Sequence, residues 1–257
     1  MSGGDDGGGR QLKSVRRAFE IVEHLRASGP ATLSDVAASL DVPMSTAHIH
    51  LSTLVETGYL VKVDGEYRCS LRFLETGGDL RDEMPLFEVA KAEVDDLQEQ
   101  LGEIANLGTR ESGYLVKLYK AEDETSIDDN APIGHHFYLH TTAMGKAMLA
   151  QLPGDEVDAI LDRRGLPQMT EGAIADREAL TADLEAARER GYAVNDEEHF
   201  GGVRAVAVPI MSDSGEAIGS ISLSGPVSRM DDERIGDEIV PALRDKRNVV
   251  ELRLRQY

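Results

Sequence analysis

The chain has 257 residues, with 47 Asp plus Glu against 27 Lys plus Arg, which gives a formal charge of −20 and a sequence pI near 4.7. At 41% hydrophobic residues it can bury real cores in one large or two ordinary domains, which excludes a wholly disordered chain. No run reaches the roughly 18 to 20 apolar residues of a membrane span, residues 1–9 are mostly Gly and Asp rather than a basic-then-apolar signal, and the lone Cys69 excludes intrachain disulfides and Cys-rich zinc sites. The reading is a soluble protein of the cytoplasm with no membrane partner.

Residues 1–9 read as a disordered tail. Residues 10–72 then hold eight basic and seven acidic side chains, a net of +1, so the remainder carries about −21. Two parts so differently charged meet different partners, and only the near-neutral one suits a polyanion. Acid spread over the rest of the surface points to a salt-rich, halophilic cytoplasm, where molar ions screen charge within roughly 3 Å.

Val15, Ala18, Phe19, Val22 and Leu25 recur on one face of a first helix that stops near Gly29-Pro30. Thr32 and Asp35 form a capping-box pattern ahead of a second helix of about eight residues, with Leu33, Val36, Ala37 and Leu40 as its apolar stripe. After a tight turn at Asp41-Val42-Pro43, the residues Ala47, Leu51, Leu54 and Val55 define a third helix ending at Gly58. Residues 59–63 and 66–70 read as strands around Asp64-Gly65, a dipeptide suited to a type I′ hairpin. Residues 10–76 are therefore expected to form a winged helix-turn-helix.

Burying Ala47, Leu51 and Leu54 turns Ser45, Ile49, Ser52 and Glu56 outward, flanked by Thr46, His48 and Thr53. The candidate base-reading residues are Ser45, Thr46, His48, Ile49 and Ser52, with Ile49 suited to a thymine methyl. Flanking phosphates are assigned to Arg10, Lys13, Arg16, Arg17, Lys62 and Arg68. The competing reading is a three-helix packing module that never meets DNA. The hairpin and the placement of the basic residues favour DNA.

A flexible break at Thr76-Gly77-Gly78 opens a linker over residues 77–85, and residues 86–257 form a second domain. Leu86, Ala90, Val94, Leu97 and Leu101 predict a helix over 86–101, followed by strands at 104–110 and 114–121 and an acidic loop through Asn130. Helices are expected at 143–152, 157–164 and 177–190, and strands at 192–195, 205–210 and 217–223. A last helix begins at Asp231, is interrupted at Pro241 and runs to about Leu254. This is an α+β pattern.

His135, His136 and His140 with Asp128 or Asp129 leave open a ligand- or metal-sensing alternative. Gly145-Lys146 lacks the upstream glycine of a P-loop and is followed by Ala147 instead of Ser or Thr, and no nucleophile elbow surrounds Ser222 or Ser224. The reading assigns no catalytic residue, no cofactor and no metal site, and expects no enzyme.

Several motifs resemble the IclR family of transcription regulators. In the first part they are Lys13-Ser14-Val15 with Arg17-Ala18 and Ile21, Leu33-Ser34-Asp35-Val36-Ala37, and Pro43-Met44-Ser45-Thr46-Ala47-His48 with Gly58-Tyr59-Leu60. In the second they are Leu139-His140-Thr141-Thr142-Ala143-Met144-Gly145-Lys146-Ala147, Gly191-Tyr192-Ala193-Val194-Asn195-Asp196-Glu197-Glu198, Gly202-Val203-Arg204-Ala205-Val206 and Ile221-Ser222-Leu223-Ser224-Gly225-Pro226.

The resemblance implies an α+β chain in which an N-terminal winged helix-turn-helix and a C-terminal GAF-like sensor domain are joined by a linker helix. It implies operator DNA and a small-molecule effector as partners, the effector being a catabolic intermediate such as a sugar, sugar acid or aromatic acid, and a homodimer or dimer of dimers. By position it implies effector contacts at Ser126, Asp129, Ala143, Met144, Asn195, Ala205, Ser222 and Ser224. Ser222 and Ser224 alternate with Ile221 and Leu223, so both hydroxyls share a strand face. The chain departs from the family pattern at Met44 and Ile49, which touches the base contacts. It also departs at Asn195 and Ala205, where sensors of small carboxylates often carry an acid and a thiol, and this implies a different effector.

Overall fold

The computed structural model describes residues 12–124, 126 and 131–257, so Arg10, Asp128 and Asp129 lie outside the described residues. The chain divides between Leu80 and Arg81 into two units. Among the described residues no helix is long and apolar enough to cross a membrane.

In the first unit, helix α1 (Lys13–Ser28) ends where Gly29 takes φ 82. A short strand β1 (Ala31–Thr32), too brief to show alternation in sequence, leads into α2 (Leu33–Ser39). The capping box forms as read: Asp35 N donates to Thr32 Oγ1 at 3.3 Å and Thr32 N donates to Asp35 Oδ2 at 3.1 Å. Helix α3 (Met44–Glu56) follows the turn at Asp41, whose φ is 49. Strands β2 (Leu60–Val63) and β3 (Glu66–Cys69) meet at Asp64 and Gly65, with φ 51 and 90 as a type I′ turn requires. The sheet runs β1-β3-β2, antiparallel throughout. Ile21, Val22, Leu25, Val36, Leu51, Leu60 and Tyr67 form its core.

Two expectations fail in this unit. Val15 and Phe19 are not buried: Phe19 is 63% exposed, because α1 turns Ile21, Val22 and Leu25 inward and leaves Leu12, Val15 and Phe19 as a separate outward stripe. The expected flexible break is instead the interior of a helix, α4 (Arg72–Asp82), which runs through Gly77 and Gly78. Its first turn is anchored strongly enough to offset the roughly 1 kcal/mol per glycine that helix propensity costs. Phe73 packs on the core, and the Arg72 guanidinium donates to Thr57 O at 2.7 Å and lies over the Tyr59 ring.

The second unit is built on a six-stranded antiparallel sheet in the order β6-β5-β4-β9-β8-β7. Its elements in chain order begin with α5 (Pro85–Leu101), β4 (Ile104–Glu111), β5 (Tyr114–Ala121) and β6 (His136–Tyr138). They continue with a 3-10 turn (Leu139–Thr141), α6 (Ala143–Leu149), α7 (Gly154–Arg164), α8 (Arg177–Arg190), β7 (Ala193–Asp196), β8 (Val203–Met211) and β9 (Ala217–Pro226). The chain closes with α9 (Asp232–Arg234), a π-turn (Ile235–Ile239) and α10 (Val240–Leu254). The interruption expected at Pro241 thus falls just before it. Pro241 has no N–H to give to the preceding turn and sits at the start of α10, while the chain ahead of it widens.

Period-two alternation divides the sheet between two cores. Ala105, Leu107, Val206, Val208, Ile221 and Leu223 face α5 and α10, where Glu93, itself buried, is paired by Lys246 at 3.1 Å and Arg253 at 3.0 Å. Leu115, Ala193, Ala207 and Ala217 face α6, α7 and α8. On that second face β4 and β9 carry Asn106, Gly108, Ser220, Ser222 and Ser224, small or polar residues that leave room between sheet and helix.

Candidate functional site

Two surfaces carry chemistry, one in each unit. In the first, α3 buries Ala47 and Leu51 and presents Ser45, His48, Ile49 and Ser52 to solvent, with Thr46 half-buried. Ile49 is 65% exposed, an apolar side chain left in water on a helix that contains no Lys or Arg and whose one acid is Glu56 at its end. Lys62 and Arg68 are exposed on the hairpin, Lys62 over the Tyr67 ring, and Lys13 is exposed at the start of α1. Arg16 and Arg17 are already engaged: both reach Glu20, at 3.8 and 3.0 Å, and Arg17 also donates to Leu40 O at 3.1 Å. Arg17 therefore ties α1 to the end of α2 and is less free for a phosphate than its sequence position suggests.

In the second unit a cavity with ≈ 530 Å³ of atom-free space, part of it open to solvent, lies between the sheet and α6. Six of the eight expected effector positions line it: Ala143, Met144, Asn195, Ala205, Ser222 and Ser224. Ser126 does not; its hydroxyl turns to Asp123, donating to Oδ1 at 3.2 Å and accepting from the Asp123 N–H at 3.0 Å. Asn195 lines the wall but its amide is occupied, giving Nδ2 to Thr141 O and accepting the Glu198 N–H at 3.3 Å. It holds the segment carrying His199 and Phe200, both of which reach the cavity.

At the start of α6 one of the N–H groups that a helix start leaves without an intrahelical partner is taken up, since Gly145 N donates to Thr142 Oγ1 at 3.0 Å. Behind the wall lies a buried ionic cluster. Lys146, 1% exposed, sets its Nζ 2.5 Å from Glu198 Oε1 and 2.9 Å from Asp183 Oδ2. Burial raises the Glu198 carboxyl above its ordinary range, and the Lys146 charge opposes that rise.

The three histidines do not converge. His135 packs edge-on against Phe137, His136 Nδ1 lies 3.0 Å from Gly134 O, and His140 is buried with Nε2 3.2 Å from Pro167 O. Burial lowers the His140 pKa, favouring the neutral ring. Among the described residues no group of three His, Cys, Asp or Glu is arranged to hold a metal.

The comparisons with known proteins bear on both units. Residues 80–250 match the family described as bacterial transcriptional regulator IclR C-terminal, and residues 14–64 match the IclR helix-turn-helix domain. The chain belongs to the IclR family. It is 32% identical to the HTH-type regulator BhcR of Paracoccus denitrificans over 95% of this chain and 88% of that one. It is 27% identical to the ArcR regulator of Halobacterium salinarum over 97% of each. Among solved structures, a transcriptional regulator from Rhodococcus sp. RHA1 superposes with a TM-score of 0.84 at 29% identity, covering 96% of this chain and 99% of that one. An IclR homologue from Microbacterium hydrocarbonoxydans, solved with 4-hydroxybenzoate, has the same fold with a TM-score of 0.81 at 24% identity over 95% and 100% of the two chains.

This IclR protein is therefore a helix-turn-helix transcription regulator. Several of its cavity residues are missing from the sequence reading, notably Asn106, Lys117, Phe137, His199 and Phe200. Asn106 leaves a faint trace, as a polar residue amid the apolar run Ile104-Ala105-Asn106-Leu107. Its partners Ser222 and Ser224 are more than a hundred residues away and meet it only through the β4–β9 pairing.

Proposed function

We propose that the first unit reads operator DNA through the outward face of α3 and that the cavity of the second unit binds a small effector. The observation that carries the DNA reading is that face: Ser45, His48, Ile49 and Ser52 stand exposed on a helix nearly free of charge. Such a helix reads base edges and leaves phosphate contacts to Lys13, Lys62 and Arg68. With few phosphates engaged, the salt slope of about −0.9 per contact stays shallow, so binding persists at high salt. This suits the acidic surface and the resemblance to a Halobacterium regulator, and supports a salt-rich cytoplasm. Gel shifts with its own upstream region across a KCl series test it. No retardation at any salt concentration overturns the reading. Ile49→Ala is expected to cost about 1 to 3 kcal/mol at one base step and change the preferred base there. Arg68→Ala is expected to weaken all sequences alike, and a base-preference profile over a randomised operator separates the two effects.

The homodimer is supported by apolar surface with no partner within its unit. Leu12, Val15 and Phe19 on or just before α1, and Leu71, Leu74 and Leu80 on or beside α4, are all exposed, and α4 buries none of its residues. Exposed apolar stripes of this kind mark interfaces. Phe19→Asp is expected to yield monomers in light scattering and to lower operator affinity about 10²- to 10⁴-fold, the gain that two linked half-sites supply. A dimeric Phe19→Asp protein with unchanged affinity moves the interface elsewhere. The effector reading draws support from the cavity and from the likeness to the 4-hydroxybenzoate-bound homologue. Ligands that raise the thermal midpoint and shift operator affinity identify its chemistry.

A further inference from the structure

Asn106 is 3% exposed on β4, facing the cavity. Its Nδ2 donates to both neighbouring hydroxyls on β9, Ser222 Oγ at 3.4 Å and Ser224 Oγ at 3.3 Å. Its Oδ1 is buried and has no partner among the described residues. With the amide in this orientation the donors and acceptors are fixed. Each serine oxygen already accepts from the amide, so each O–H must donate elsewhere, while Asn106 Oδ1 must accept. The wall displays two hydroxyl donors and one amide acceptor within the span of a single side chain.

We propose that Asn106 is the specificity-determining residue of this pocket and selects a 2-hydroxy acid over the 2-oxo acid of the same skeleton. The inference rests on the effector reading given above. Contrary to the expectation drawn from Asn195 and Ala205, the ligand is still a carboxylate, held elsewhere on the wall: it accepts from Ser222 and Ser224, and a hydroxyl on the adjacent carbon donates to Asn106 Oδ1. The two groups must be neighbours on the ligand because the three protein atoms are joined through one amide. A hydroxyl across an aromatic ring from its carboxylate cannot span them in this way. Met144 and Leu115 receive the carbon skeleton. An oxo acid brings only acceptors and leaves Asn106 Oδ1 desolvated and unpaired, the situation that discriminates most strongly between close analogues.

The test is calorimetric titration of the full chain in molar KCl with lactate against pyruvate and malate against oxaloacetate. Succinate serves as the analogue without the hydroxyl. The expected result is at least about tenfold tighter binding of the hydroxy acid in whichever pair binds. Asn106→Leu, similar in size and unable to accept, is expected to bring that ratio to within about twofold, with circular dichroism showing that it folds. Should that variant not fold, the wild-type ratio still decides. Equal binding of the pair overturns the proposal. Tighter binding of the oxo acid also overturns it and points to the amide turned the other way, offering Nδ2 to the ligand. If aromatic acids or other acids without a hydroxyl beside the carboxylate bind and neither pair does, the ligand class is overturned and the effector pocket stands. If nothing binds, both fall.

Discussion

Replacing Lys146 with methionine is expected to destabilise the protein by about 3 to 5 kcal/mol, the range for removing one partner of a buried ion pair. Lys146 is 1% exposed and its ammonium meets two carboxylates, Glu198 and Asp183, of which Glu198 is itself buried. Methionine fills much of the same volume, so the loss is electrostatic rather than a cavity. The pH dependence separates this from simple packing damage. Burial already holds the Glu198 carboxyl above its ordinary value of 4.5, and Lys146 is the largest influence pulling it down.

Without Lys146 the folded-state value rises further. Between 4.5 and that raised value the folded protein holds a proton that the unfolded chain has released, so stability falls as pH rises through the window. The Lys146→Met deficit should therefore be smallest near pH 4.5 and grow toward neutrality, read as the difference in Tm between the two proteins across a pH series. A deficit independent of pH would mean that the cluster is not charged as described. Glu198 adjoins His199, so the same variant is expected to weaken effector binding through the segment that Asn195 holds.

Gly145→Ala is expected to be as damaging for a steric reason. A Cβ at Gly145 would lie 2.1 Å from Leu139 O and 2.6 Å from Leu139 Cα, and backbone cannot move aside as a side chain can. Overpacking typically costs about 1 to 3 kcal/mol, and an overlap with backbone belongs at or above the top of that range. Gly145 lets α6 approach the 3-10 turn at Leu139–Thr141, which sets the height of Ala143 and Met144 above the sheet. Thermal unfolding should show a drop of several degrees for a chain of this length. A Gly145→Ala protein with unchanged midpoint would mean that the two segments are not in contact. The Gly-Lys pair, which falls short of a P-loop in sequence, thus has a structural account: the glycine admits the turn and the lysine bridges two carboxylates behind the pocket wall.

Much of the fold was legible from local pattern. Helix α8 spans the residues that its periodicity predicts, Arg177–Arg190, and β5 likewise covers Tyr114–Ala121. The Thr32 capping box and the Asp64-Gly65 turn form as their residue types demand, because each depends on groups within three or four residues. The α+β class and the winged helix-turn-helix followed from the order of these elements.

What depends on distant contacts was not legible. Phe19 fits the helical stripe of α1 as well as Ile21 does, and only the packing of α1 against its unit's core decides which of the two is buried. Gly77-Gly78 reads as a break until the Arg72 and Phe73 anchors are seen. The alternation of Ser222 and Ser224 gave their shared face, yet their partner Asn106 comes from a strand 116 and 118 residues away in sequence. By itself the sequence determined the elements, their caps and turns, and the family, since these are written in near-neighbour spacing. Tertiary structure alone decided which polar groups meet on one wall of the cavity, because antiparallel pairing of β4 with β9 brings together residues that no local pattern relates.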